Sequence, residues 1–127
     1  MKMTQTDIMN LLANLPYRLF NNGVDCILLL TIGNLDGTII ELAGLQIGVY
    51  KPHIHDHVSS TIEVLCGKGV ANIDSHHSVY TPGTKFIVPA GIAHGFEVAE
   101  PTWLLTRLTS HIINPKTGVA DLRYTNH

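Results

Sequence analysis

Apolar residues recur at helical spacing in one stretch of the chain. Ile8, Met9, Leu11, Leu12 and Leu15 form one stripe, Thr4 or Thr6 can cap its start, and Pro16 ends it, which predicts a helix over about residues 4–15. Beyond it the pattern changes to short apolar or alternating runs. Cys26–Ile32 and Thr38–Leu42 flank Asn34-Leu35-Asp36-Gly37, whose Asp-Gly pair is a hairpin signal. Gly44–Lys51, Thr61–Cys66, Val70–Ile73, Ser78–Tyr80, Lys85–Val88, Gly95–Ala99 and Trp103–Thr109 follow, separated by turns rich in Gly, Pro and Asp. Short strands at this spacing predict an all-β antiparallel sandwich or barrel over about residues 24–124, preceded by the short helix. The length, 127 residues, suits a single domain spanning 1–127 with a core that needs neither disulfide nor structural metal.

Composition narrows the function classes. Hydrophobic residues make up 45% and charged residues 14%, so the chain is not disordered and much of its surface is expected to be covered, most cheaply by a second copy in a homodimer. A net charge of −2 without a basic cluster argues against nucleic acid and anionic membrane as partners. Cys26 and Cys66 do not make a disulfide framework and suit a reducing compartment. The N-terminus carries no long apolar segment, and Ile27–Ile32 is too short to span a bilayer, so a cytoplasmic location is expected.

The chemistry lies in the histidines. Pro52-His53-Ile54-His55-Asp56-His57 sits near the end of one strand, and His94 follows the turn Pro89-Ala90-Gly91. Residues two apart on a strand share a face, so His53 and His55 can grip one ion, and imidazole is a common ligand of divalent metals. Gly83, five residues, Pro89-Ala90-Gly91, two residues and His94 resemble the second motif of the cupin superfamily, with Val98 where that motif ends in Asn. His53-Ile54-His55, four residues, Ser60, six residues and Gly67 keep the spacing of the first motif, although Gly48 is one residue too close to His53. The resemblance runs from about Thr38 to Thr109. It implies a cupin-type double-stranded β-helix, or jelly-roll barrel, holding one divalent ion per chain (Fe, Ni, Zn or Mn) on His53, His55 and His94.

One departure bears on reactivity. Cupins usually offer three His and one Glu, and the Glu position here is Ser60. Glu63 cannot replace it, because three residues along a strand reverse the face. A three-histidine site leaves more positions open. The resemblance then implies a mononuclear dioxygenase-type enzyme acting on a small chelating substrate. A metal-dependent isomerase or lyase, and a non-catalytic cupin that binds metal or a small ligand, are the alternatives. No residue is assigned a catalytic role. A second frame uses His55 and His57, with Ile62 in the Glu position and Gly69 in the Gly position. His57 is read as a solvated loop residue with a fourth ligand or acid/base as its other role. Cys66 shares the parity of Ser60 and is expected to face the interior as apolar filling. His76 and His77 are assigned to a polar turn, His111 and His127 to no role, and Tyr50, Phe96 and Trp103 to core packing or a pocket wall.

Overall fold

The computed structural model describes residues 2–125. One helix and eleven strands follow in the order α1 Gln5–Ala13, β1 Arg18–Asn21, β2 Cys26–Leu35, β3 Thr38–Leu45, β4 Gly48–Ile54, β5 Ser60–Cys66, β6 Gly69–Ile73, β7 His76–Tyr80, β8 Lys85–Val88, β9 His94–Val98, β10 Thr102–Leu108 and β11 Arg123–Tyr124. Thr4 caps α1 through a capping box: its side chain accepts from Asp7 N–H while the Asp7 carboxylate accepts from Thr4 N–H. The helix stops at Ala13, two residues before the expected end, with Asn14 as its C-cap.

The strands form two antiparallel sheets, one in the order β1-β2-β3-β10-β5-β8 and the other in the order β11-β4-β9-β6-β7. Each strand places alternate residues on opposite faces, so each sheet has an inner and an outer side chain set. Ala43 and Leu45 of β3, Ile62 and Val64 of β5, Tyr50 of β4, Phe96 and Val98 of β9 and Leu104 of β10 meet in the main core between the sheets. The chain pattern predicts an antiparallel all-β sandwich or barrel, and the arrangement is the jelly-roll barrel that the cupin resemblance implies. The outer face of the six-stranded sheet is covered by α1, whose Leu12 packs with Leu42, Cys66 and Trp103. Two type I′-like hairpins tie neighbouring strands. Asp36 and Gly37 (φ 52° and 88°) join β2 to β3, and Asp74 and Ser75 (φ 51° and 65°) join β6 to β7.

Three details differ from the sequence reading. β1 and β11 were not expected; both are short edge strands whose formation depends on pairing with β2 and β4. His76 and His77 are not in the turn but open β7, where both are exposed. Cys66 does not face the barrel interior. Trp103 pairs with Cys66 while Leu104 pairs with Val64, so Leu65 is an extra residue in β5. That bulge reverses the side-chain parity, and Cys66 lies fully buried beneath α1, its Sγ 4.0 Å from Gln5 O.

A second irregularity sits beside the histidines. Tyr50 pairs with Phe96 and His53 with His94, so β4 has one residue more than β9 across this stretch. Pro52 occupies the irregular segment, where its missing N–H costs no ladder bond. The opposing residue is Gly95, and a Cβ there would lie 2.6 Å from Tyr50 O and 2.9 Å from Pro52 N. Only glycine lets the two backbones approach this closely. Gly95→Ala is therefore expected to destabilise the fold by about 1–3 kcal/mol and to shift His53 relative to His94. Urea unfolding checks the first effect and histidine ring NMR shifts the second.

Candidate metal centre

The bulge in β4 puts His53 directly opposite His94 of β9. Side chains at directly opposed antiparallel positions have Cβ atoms about 4.5–5.5 Å apart. His55 follows one residue after the end of β4, and the turn after β8 holds it there: Gly91 N–H donates to His55 O at 2.8 Å. Gly91 has φ 85°, a conformation that favours glycine, so the Pro89-Ala90-Gly91 turn reaches back to the other histidine segment. The three ring centroids lie 4.2 Å (His53–His94), 4.9 Å (His53–His55) and 5.0 Å (His55–His94) apart. One ring nitrogen from each residue lies within 4.8 Å of the others, and among the described residues this is the one such cluster of metal-ligating side chains.

Each imidazole has a backbone carbonyl at Nδ1. Lys51 O lies 3.3 Å from His53 Nδ1, Asp121 O 2.6 Å from His55 Nδ1, and Ile92 O 3.1 Å from His94 Nδ1. A carbonyl only accepts, so each Nδ1 is assigned the proton and each Nε2 keeps its lone pair. Outer hydrogen bonds of this kind fix tautomer and ring orientation in metal sites. Burial, followed by the charge of the neighbouring imidazole, lowers the pKa of His53 to about 4 and that of His94 to about 3. His55 is lowered by burial as well, offset in part by its bond to Asp121 O and the nearby Asp121 and Asp56 charges. All three rings are neutral at pH 7. Metal–nitrogen bonds of about 2.0–2.1 Å would draw the nitrogens somewhat closer than they stand here. The donor set fits a borderline divalent cation, so the group could hold a metal ion.

The histidines line a cavity of about 410 Å³ between the two sheets. Its walls are mostly apolar, with Tyr50, Ile62, Phe96 and Leu104 among them, and Ser60 also faces it. The segment after β10 forms its cover. Ile113 and Ala120 form an isolated bridge, and His111, Ile112 and Leu122 line the mouth. Asp121 fastens this cover to the histidine segment. Its two carboxylate oxygens accept from Asp56 N–H and His57 N–H, each at 2.8 Å, while its carbonyl accepts from His55. Burial by itself would raise the Asp121 carboxyl, but the bonds from His57 and Asp56 N–H and the nearby His57 and His55 together outweigh it and hold the group below its usual range.

His53, His55 and His94 are thus brought together, and Ser60 shares their cavity. His57 is exposed and outside the cluster, so the frame pairing it with His55 does not form a site. Glu63 lies on the outer face of β5, 4.0 Å from Lys85. Trp103 packs on Tyr17 on the far side of the six-stranded sheet, with ring centroids 5.0 Å apart, and is no part of the cavity. His127 lies outside the described residues. Glu41, Thr106 and Asp121 were missed. The signal for Glu41 was available, a carboxylate inside the apolar run Ile39-Ile40-Glu41-Leu42-Ala43; Asp121 carries no pattern that singles it out.

No protein-family model matches the chain, and no curated protein matches it in sequence. Solved structures do. A candidate sugar phosphate isomerase from Acidithiobacillus ferrooxidans superposes with a TM-score of 0.66 at 18% identity, over 87% of this chain and 76% of that one. An RmlC-like cupin from Shewanella frigidimarina matches with a TM-score of 0.62 at 20% identity, over 72% of this chain and 82% of the other. The fold is that of the cupins. The nucleoside dehydratase Pac13, seen in Streptomyces structures with uridine, shares this cupin barrel with a TM-score of 0.64 at 19% identity, over 86% of this chain and 84% of Pac13. Likeness at this level of identity concerns the fold and leaves the chemistry to the site. No helix among the described residues is long and apolar enough to cross a membrane.

Neutral buried imidazoles make a prediction for the metal-free chain. With unfolded pKa values near 6.5 and folded values of about 4 and 3 for His53 and His94, the unfolded state binds more protons below pH 6.5. Stability is therefore lost as pH falls from about 6.5 towards 3, by up to roughly 1.4 kcal/mol per pH unit for each imidazole. Urea midpoints measured across this range should fall less steeply in the His53→Gln, His94→Gln double variant.

Proposed function

We propose that this cupin is a mononuclear metalloenzyme, with His53, His55 and His94 as the protein ligands of one divalent ion and a small chelating molecule as substrate. The observation that carries this reading is the repeated arrangement of three neutral imidazoles, each with a carbonyl at Nδ1 and all converging on one cavity. A bound ion would supply Lewis acidity, and three protein ligands would leave coordination positions for water and substrate. The chain's own contribution is to keep the rings deprotonated, fix their tautomers and surround the site with apolar walls that limit water. A volume of about 410 Å³ suits a molecule of metabolite size. Cupin neighbours that are a candidate sugar phosphate isomerase and a uridine-binding dehydratase support a small-molecule substrate.

Two reaction classes fit an open three-histidine site. Dioxygenase chemistry draws support from the absence of a carboxylate at position 60, and isomerase or lyase chemistry from an acidic side chain elsewhere in the cavity. Oxygen uptake by the iron-loaded protein with chelating substrates distinguishes them. Association of two copies belongs to the same reading, supported by exposed Val49 and Val79 on the outer face of the five-stranded sheet. The free cysteines Cys26 and Cys66 support a reducing, cytoplasmic setting.

His94→Ala is expected to abolish stoichiometric metal while leaving a folded barrel, because the core does not depend on the ion. Elemental analysis and circular dichroism check this, and full metal content in that variant refutes the ligand set. Ser60→Glu is expected to tighten divalent binding at least about tenfold by adding a hard, charged donor inside the cavity. Competition with a chromogenic chelator measures the change.

A further inference from the structure

The cavity holds a carboxylate that the metal site does not use. Glu41 shares the inner face of β3 with Ile39, Ala43 and Leu45, all of which are buried, and it lines the same cavity as the three histidines. Its register neighbours are Thr106 on β10 and Thr31 on β2, and both also line the cavity. A polar row therefore crosses the inner face of the six-stranded sheet, from buried Thr106 through half-buried Glu41 to exposed Thr31 at the rim. The histidines come from the opposite sheet and the segment that follows it.

No hydrogen bond or ion pair among the described residues accounts for the position of the Glu41 carboxylate. The Thr106 hydroxyl donates to the Glu41 main-chain carbonyl at 3.2 Å, which leaves the carboxylate itself unused. Among the described residues its oxygens have no hydrogen-bond partner, and the two ion pairs are Lys85–Glu63 and Arg123–Asp56. Burial raises its pKa, opposed by the charge of Arg18, which lies at the cavity mouth on β1. A partly desolvated carboxylate with no protein partner, lining a cavity beside potential metal ligands, is placed to engage a bound molecule.

We propose that Glu41 is the acid/base residue of this site, and that the substrate is a small hydroxycarbonyl compound whose anionic end lies towards Arg18. This rests on reading the three-histidine group as a metal site. A bound divalent ion would supply the Lewis acidity that favours charge on the carbonyl oxygen. The C–H bond at the hydroxyl-bearing carbon next to the carbonyl breaks, the Glu41 carboxylate takes the proton, the C–H electron pair forms a C=C bond, and the carbonyl π pair moves to its oxygen, giving an enediolate. Return to the same carbon of a proton that Glu41 has exchanged with solvent gives exchange; return to the former carbonyl carbon, with the hydroxyl proton passing to the other oxygen, gives the isomer. No oxidant or reductant is consumed. Arg18 provides the positive charge at the entrance that selects anionic over neutral substrates.

The test uses the intact metal-loaded protein in D₂O with dihydroxyacetone phosphate and, separately, unphosphorylated dihydroxyacetone. The wild type should place deuterium at the hydroxyl-bearing carbon, faster with the phosphorylated probe. Glu41→Gln should lower the rate about 10²–10⁴-fold with unchanged metal content and a melting temperature no lower than wild type. Arg18→Gln should reduce the preference for the phosphorylated probe. A readout independent of turnover comes from ¹³C-carboxyl labelling of the four glutamates Glu41, Glu63, Glu97 and Glu100. The signal lost in Glu41→Gln should move when dihydroxyacetone phosphate is added to wild type. Exchange by Glu41→Gln at the wild-type rate, no exchange by the metal-loaded wild type, or an unmoved Glu41 signal overturns the proposal. A wild type that takes up no metal overturns the metal reading instead, and the movement of the Glu41 signal then decides the contact between carboxylate and probe.

Discussion

The close approach of β4 to β9 is the constraint from which the site follows. Pro52 lacks an N–H and Gly95 lacks a Cβ, so the extra residue of β4 can be absorbed where the two backbones nearly touch. Without that slack the pairing register would continue unbroken from Tyr50–Phe96, and His53 would not stand opposite His94. A one-residue displacement reverses every side chain along a strand, so the bulge decides whether these imidazoles face the cavity or solvent.

The remaining geometry is fixed by backbone rather than by side-chain partners. Three carbonyls set three tautomers, and Gly91 N–H and Asp121 O restrain His55 from two directions. Asp121 belongs to the cover of the cavity, so the same residue that orients His55 also helps close the mouth. Carbonyl partners carry no formal charge. They orient the rings and offset the effect of burial only in part, so the cluster keeps its lone pairs at neutral pH.

The two sheets divide the chemistry. The five-stranded sheet and its continuation carry nitrogen donors, whereas the six-stranded sheet carries hydroxyls and one carboxylate among apolar residues. A molecule in the space between them would meet groups that bind through lone pairs on one side and a group that can carry a proton on the other. Apolar surroundings strengthen both kinds of interaction.

Local pattern alone determined the single capped helix, the run of short strands, the Asp36-Gly37 hairpin and the spacing of the two histidine segments. Each depends on side-chain period or on the φ preference of a few residues, and those properties travel with the sequence. Tertiary structure decided which way Cys66 faces, because a bulge in β5 depends on how β10 pairs with it. It also decided that Glu41 shares the histidines' cavity and that Asp121, 66 residues from His55, holds that ring. Edge strands β1 and β11 fall in the same class, since four and two residues have no stable strand conformation without a neighbour. Contacts between residues distant in sequence depend on the register of whole sheets, and no local period encodes that register.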